Sequence, residues 1–86
     1  MDYIIVIFNN RTDTMKLYEY LKKFKIKTMI VPTPNQLSKS CGISLKARYK
    51  NIGQVLEIVK RFNLRSFNHV YIEKKVAGKT SYIKIT

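Results

Sequence analysis

Few residues in this chain could do covalent chemistry. One thiol, Cys41, and one imidazole, His69, stand among 86 residues. Two such groups cannot close a structural zinc site, which takes four N or S ligands. One cysteine cannot form an internal disulfide. The acids Asp2, Asp13, Glu19, Glu57 and Glu73 are scattered, with no paired-carboxylate motif among them. No Gly-rich phosphate loop is present. A stand-alone hydrolase or oxidoreductase is therefore the least expected class, and no resident cofactor or metal is expected. His69, alone on its segment, has the ordinary role of a surface or partly buried imidazole as its default.

Cys41 lies in the most unusual stretch, Pro32-Thr33-Pro34-Asn35-Gln36-Leu37-Ser38-Lys39-Ser40-Cys41-Gly42. Lys39, Lys46 and Arg48 are near it in sequence, and cationic neighbours favour the nucleophilic thiolate. The pattern Thr33-Pro34-x-Gln36 reads as a capping box opening a short helix from Pro34 to about Ser40, with Gly42 as a left-handed stop. The carboxyl end of that helix would oppose a thiolate. A free cysteine is also commonly a small, inert core residue. Residue types alone leave both roles open.

The elements that must position this thiol follow from periodicity. Tyr3–Phe8 is continuously apolar and β-branched, as expected of a central strand covered on both faces. Thr12 is a fair N-cap for a helix over Asp13–Phe24, with Thr14, Leu17, Leu21 and Phe24 on its apolar stripe. Lys27–Val31 reads as a second strand ended by Pro32. Ile43–Tyr49 alternates, with Ile43, Leu45, Ala47 and Tyr49 on one face and Ser44, Lys46 and Arg48 on the other. Asn51 with Gln54 repeats the cap pattern before a helix over Ile52–Phe62, whose stripe is Ile52, Val55, Leu56, Val59 and Phe62. Asn68–Lys75 is a fourth strand, with Val70 and Ile72 opposite His69, Tyr71 and Glu73. Ala77-Gly78 marks a turn into a fifth strand, Ser81–Ile85. This order predicts an α+β fold: a single ferredoxin-like βαββαβ sandwich over residues 1–86, with a short helix after the second strand and an extra C-terminal strand. Ile5, Ile7, Leu21, Leu45, Val55 and Val59 are the expected core.

Charge is the second signal. Seventeen Lys+Arg against five Asp+Glu give a formal net charge of +12. Attraction to polyanions follows from that excess. Ser44, Lys46 and Arg48 beside His69 and Tyr71 on an open sheet face would suit a nucleic acid, although closely spaced Gly and Phe of an RNA-recognition strand are missing. The open face or the edge of the fifth strand offers a surface for a homo-oligomer. Hydrophobic residues make up 45% of the chain, which is globular rather than disordered composition. The apolar run Tyr3–Phe8 is far short of a membrane span and no basic segment precedes it as in a secretory signal. No membrane partner is expected, and a free thiol suits a reducing cytoplasm.

The run I-V-P-T-P-x-x-L-S-x-S-C-G-I-S-L, from Ile30 to Leu45, resembles the signature of the small bacterial family called putative Se/S carrier-like. The resemblance extends through the flanking elements to about Tyr71. It implies that Cys41 is the functional residue and holds sulfur or selenium as a persulfide or perselenide, passing it between donor and acceptor proteins. It also implies supporting roles for Pro32, Thr33, Pro34 and Gly42. Gly42 would allow close backbone approach and a positive φ. Ser38 and Ser40 would either donate hydrogen bonds to a terminal sulfur anion or satisfy carbonyls at the helix end. A carrier needs one accessible thiol and no second cysteine to resolve it, which is the count here.

Overall fold

The computed structural model describes residues 2–37 and 42–86. In chain order the elements are β1 (Tyr3–Phe8), α1 (Arg11–Lys23), β2 (Thr28–Pro32), β3 (Ile43–Arg48), a 3-10 turn (Tyr49–Asn51), α2 (Ile52–Arg61), β4 (Phe67–Val76) and β5 (Lys79–Lys84). The five strands form one antiparallel sheet in the order β2-β3-β1-β4-β5. The protein is thus a mixed α+β domain, with two α-helices among the described residues. Its strand order departs from the simple four-stranded ferredoxin sandwich because β5 adds a strand outside β4.

Side-chain alternation along β1 divides the sheet into two unlike faces. Ile4, Val6 and Phe8 join Leu17 and Leu21 of α1 and Val55, Ile58 and Val59 of α2 in one buried cluster, with Leu45, Ala47 and Val70 from the neighbouring strands. Both helices therefore cover the same face. Ile5 and Ile7 point the other way, yet each is only 1% exposed. β1 is thus a central strand covered on both faces, as its continuous apolar run predicts, but the helices supply only one of the two covers. Side chains from the strands beside it cover the second face: Ile5 stands opposite Lys46 and Tyr71, and Ile7 opposite His69.

The element ends were the least accurate expectations, for local reasons. Helix α1 starts before Asp13 because Asn10, not Thr12, is the cap: its Oδ1 accepts from the Asp13 N–H at 2.8 Å. Asn and Thr are both good caps, and only one can hold the first turn. The helix stops at Lys23. Lys25 then turns left-handed (φ 60°), with Lys25 N–H donating to Lys22 O and Ile26 N–H to Leu21 O. This is a Schellman end, and it packs Ile26 against the core beside Leu21. Phe24, expected on the apolar stripe, sits at the cap and is 49% exposed. Helix α2 ends the same way at Asn63 (φ 57°) and Leu64. At its start, Asn51 makes no side-chain cap bond; the 3-10 turn leads directly into the helix. Tyr49 belongs to that turn rather than to β3.

The β4–β5 connection is a two-residue turn with positive φ at Ala77 and Gly78 (52° and 78°), matching the right-handed twist of a hairpin. It pairs Val76 directly with Lys79, so β5 begins earlier than expected. Pro32 is the last residue of edge strand β2 rather than its terminator, a position proline tolerates. Of the expected short helix, Ser38, Lys39 and Ser40 lie outside the described residues. Its described part is a turn closed by Leu37 N–H donating to Pro34 O at 2.9 Å.

Leu45 is fully buried at the centre of the helix-covered face. Leu45→Ala should cost about 2–5 kcal/mol in chemical denaturation, through lost burial and a cavity. Phe24→Ala, at the exposed cap, should stay within about 0.5 kcal/mol of wild type.

Candidate functional site

The hairpin of β2 and β3 carries the segment that the sequence singles out. Cys41, with Ser38, Lys39 and Ser40, lies outside the described residues, but both flanks of that segment are defined. Thr33 N–H donates to Gly42 O at 3.0 Å, continuing the ladder one step beyond the Pro32–Ile43 pair. The Thr33 and Ser44 hydroxyls share a hydrogen bond at 2.7 Å. Ser44 is fully buried, so this bond satisfies a hydroxyl that water does not reach. Thr33 was expected to cap a helix; its hydroxyl instead ties the two strands. Gly42 has φ 77°, and a Cβ there would meet nothing within 4 Å. The glycine is needed for its backbone conformation, not for close approach. Pro34 begins the turn to Leu37. The structure therefore brings Thr33, Gly42 and Ser44 together at the base of the loop.

Lys46 and Arg48 are elsewhere. They follow Ser44 on the same sheet face, one and two pleats further along β3. Lys46 Nζ lies 2.9 Å from Glu73 Oε1 and 4.6 Å from the Tyr3 ring centroid. Its charge is neutralised within the sheet. Tyr82 Oη donates to Glu73 Oε2 at 3.3 Å, so the carboxylate has a partner on each oxygen. Partial burial pushes the Tyr82 phenol above its ordinary pKa, and the Glu73 charge and hydrogen bond add to the shift. Glu73 and Tyr82 are the residues that sequence reasoning missed. The alternation of β4 placed Glu73 on the correct face, but the register across β1 sets it opposite Arg48, and the bond to Lys46 is a diagonal one that periodicity does not reveal.

The open face does hold Ser44, Lys46, Arg48, His69 and Tyr71 together, as the alternation predicted. It is less available to an anion than expected. Ser44 is buried, Lys46 is paired, and His69 Nδ1 lies 3.1 Å from the Thr86 carbonyl, to which it can only donate. Among the described residues no group of three His, Cys, Asp or Glu side chains could hold a metal ion, and no helix is long and apolar enough to cross a membrane.

A small α+β domain whose cysteine segment is flanked in sequence by the pinned ends of β2 and β3 defines the class. The family model described as "Putative Se/S carrier protein-like" matches residues 2–69, and the chain belongs to that family. The match spans the elements from β1 into β4 and includes the cysteine segment; the rest of β4 and β5 lies beyond it. Comparisons with curated proteins and with solved structures gave no match.

Two outcomes test this geometry. Gly42→Ala should destabilise the protein by about 1–2 kcal/mol in denaturant titration, because a Cβ at positive φ is strained even in open space. Tyr82 supports a pH prediction. Its phenol pKa is raised in the folded state, so its stabilising contribution is intact below the unfolded value of about 10 and is lost as pH rises through the folded value. The melting temperature of wild type should therefore fall more steeply above about pH 10 than that of Tyr82→Phe, compared by thermal scans.

Proposed function

We propose that this protein is a thiol carrier in which Cys41 takes a sulfur or selenium atom from one protein and delivers it to another. Family membership is the observation that carries the reading. The single cysteine supports it, because a bound persulfide then has no intramolecular thiol to displace it. The pinned base supports it as well: Thr33, Gly42 and Ser44 fix both ends of the loop on a rigid hairpin.

In loading, the Cys41 thiolate attacks the outer sulfur of a donor persulfide. A new S–S bond forms at Cys41, the donor's S–S bond breaks, and the donor leaves as a thiolate. In delivery, an acceptor nucleophile attacks the outer sulfur and Cys41 leaves as the thiolate. Neither step needs an external oxidant or reductant. Lys39, two residues from Cys41, is the cation assigned to favour the thiolate. Lys46 is a weaker candidate because Glu73 neutralises it, and Arg48 stands at the far end of β3. Ser38 and Ser40 would donate to the terminal sulfur anion, and Pro32, Thr33 and Pro34 would set the course of the loop. The scaffold for this role is read as a ferredoxin-like sandwich extended by β5, supported by the central pairing of β1 with both β3 and β4. A reducing cytoplasm suits a carrier whose thiol must stay free.

Incubation with a cysteine desulfurase and free cysteine should add one sulfur atom per chain in intact-mass spectra, and a reductant should remove it. Cys41→Ser should abolish the gain without changing the far-UV circular dichroism. A Cys41 that iodoacetamide alkylates only after unfolding would overturn the reading.

A further inference from the structure

The end of the sheet opposite the cysteine hairpin gathers cations that the fold does not use. β3 starts beside Gly42 and ends at Arg48, which places Arg48 about 20 Å away along the strand. Around it run shallow clefts that share walls. One is lined by Lys22, Lys25 and Lys27. The next includes Phe24, Lys25, Lys27, Arg48 and Lys50. Two more continue past Arg48, one to Tyr3 and Met29 and the other to Tyr49 and Lys50. The linings of the four clefts contain one acid, Asp2, at the rim.

Lys22, Lys25, Lys27, Arg48 and Lys50 take no part in either described ion pair, Lys46–Glu73 or Lys74–Asp2. The dipole of α1 explains a lysine in its last turn, such as Lys22. It does not explain Lys27 or Arg48, which lie outside the helices, or Lys50, which sits in a single 3-10 turn. Lys25 is the most telling. It occupies the left-handed position of the Schellman end, where glycine or asparagine fits without strain, and asparagine is what the equivalent end of α2 carries. A strained backbone at this lysine adds charge where two clefts meet. The helix-end carbonyls of Tyr20, Leu21 and Lys22, which would repel an anion, are already taken by the N–H groups of Phe24, Ile26 and Lys25.

Exposed rings accompany the charges. Phe24 is 49% exposed and Tyr49 is 45% exposed, each lining one of the clefts. Cations following a backbone, with aromatic faces between them, are what a single-stranded nucleic acid requires. We propose that this end of the protein binds single-stranded nucleic acid. Lys25, Lys27, Arg48 and Lys50 contact phosphates, and Tyr49 and Phe24 stack on bases. The surface meets the open sheet face at Arg48 but does not draw on Lys46, which lines one cleft and is already paired.

The test is fluorescence anisotropy with a labelled oligouridylate of about 12 nucleotides, titrated at several salt concentrations. Four phosphate contacts predict a log–log salt slope near −3, at about −0.7 per contact. Lys27→Ala, Arg48→Ala and Lys50→Ala should each make the slope shallower by about 0.7. Lys25→Gly should do the same while leaving the melting temperature unchanged or raised, which separates lost binding from lost folding. Tyr49→Ala should weaken binding at an unchanged slope. Lys16→Ala and Lys60→Ala, on the outer turns of the helices, should leave the slope at the wild-type value. Equal slope changes at Lys16 and Lys27 would overturn the proposal, since binding would then follow net charge alone. Binding to a duplex of the same length, or to vesicles of anionic phospholipid, as tight as to the single strand would overturn it too.

Discussion

The antiparallel pairing of β1 with β3 on one side and β4 on the other is the constraint on which the rest of the structure depends. Five of the six residues in β1 are buried, on both faces of the sheet. The helices can cover only Ile4, Val6 and Phe8. Ile5 and Ile7 must be covered by whatever the neighbouring strands project beside them. Those side chains are long and amphipathic: Lys46 and Tyr71 flank Ile5, and His69 flanks Ile7. A lysine that lays its stem over an isoleucine keeps a charged end that needs a partner. Glu73 supplies it, and Tyr82 completes the second oxygen of the carboxylate. The polar network on the open face is thus a consequence of burying a fully apolar strand under one layer of helices.

Periodicity made the strands, both helices and the facing of β3 readable in the sequence. Ser44, Lys46 and Arg48 fall on one face because a strand has a period of two, whatever its neighbours do. Element ends were less readable, because adjacent residues compete for the same role. Asn10 and Thr12 can both cap a helix, and the winner is set by where the chain leaves β1. Ile26, two residues past Phe24, enters the core because the left-handed turn at Lys25 redirects the chain. Ile58 of α2 was overlooked although it is buried, since a stripe traced through Val55 and Val59 is wider than the single line drawn. At the candidate site, the motif and its glycine were visible, but the Thr33–Ser44 bond was not. A threonine hydroxyl before a proline can cap the next turn or reach across a hairpin, and only the register decides.

β3 also acts as a spacer between two different environments. Its first residue follows Gly42, where the cysteine segment ends and the chain is pinned. Its last residue, Arg48, opens onto unpaired cations. Lys46 between them is electrically silent, because Glu73, one pleat away on the far side of β1, pairs with it diagonally. The family match ends at His69, so Glu73, which pairs with Lys46, and Tyr82, which donates to Glu73, both lie beyond it. The end of β4 and strand β5 therefore do more than lengthen the sheet: they neutralise the middle of β3 and leave Arg48, at its far end, outside both described ion pairs.

The distribution of ion pairs shows which cations the fold requires. With a net charge of +12, self-repulsion opposes the compact state. Two ion pairs are described. Lys74–Asp2 is over 40% exposed on both sides at 3.4 Å, and a pair of that kind contributes about 0–1 kcal/mol. Lys46–Glu73 is different, because the carboxylate is only 9% exposed. Removing Lys46 would leave a nearly buried charge without its counter-ion, a change that is costly wherever it occurs. Cohesion otherwise rests on the strand ladders and on the apolar cluster, which no lysine enters. Lys25 goes further and sits in a backbone conformation that a lysine adopts only at a cost. A cation that weakens the fold through both repulsion and strain is accounted for by what it can bind, not by what it holds together.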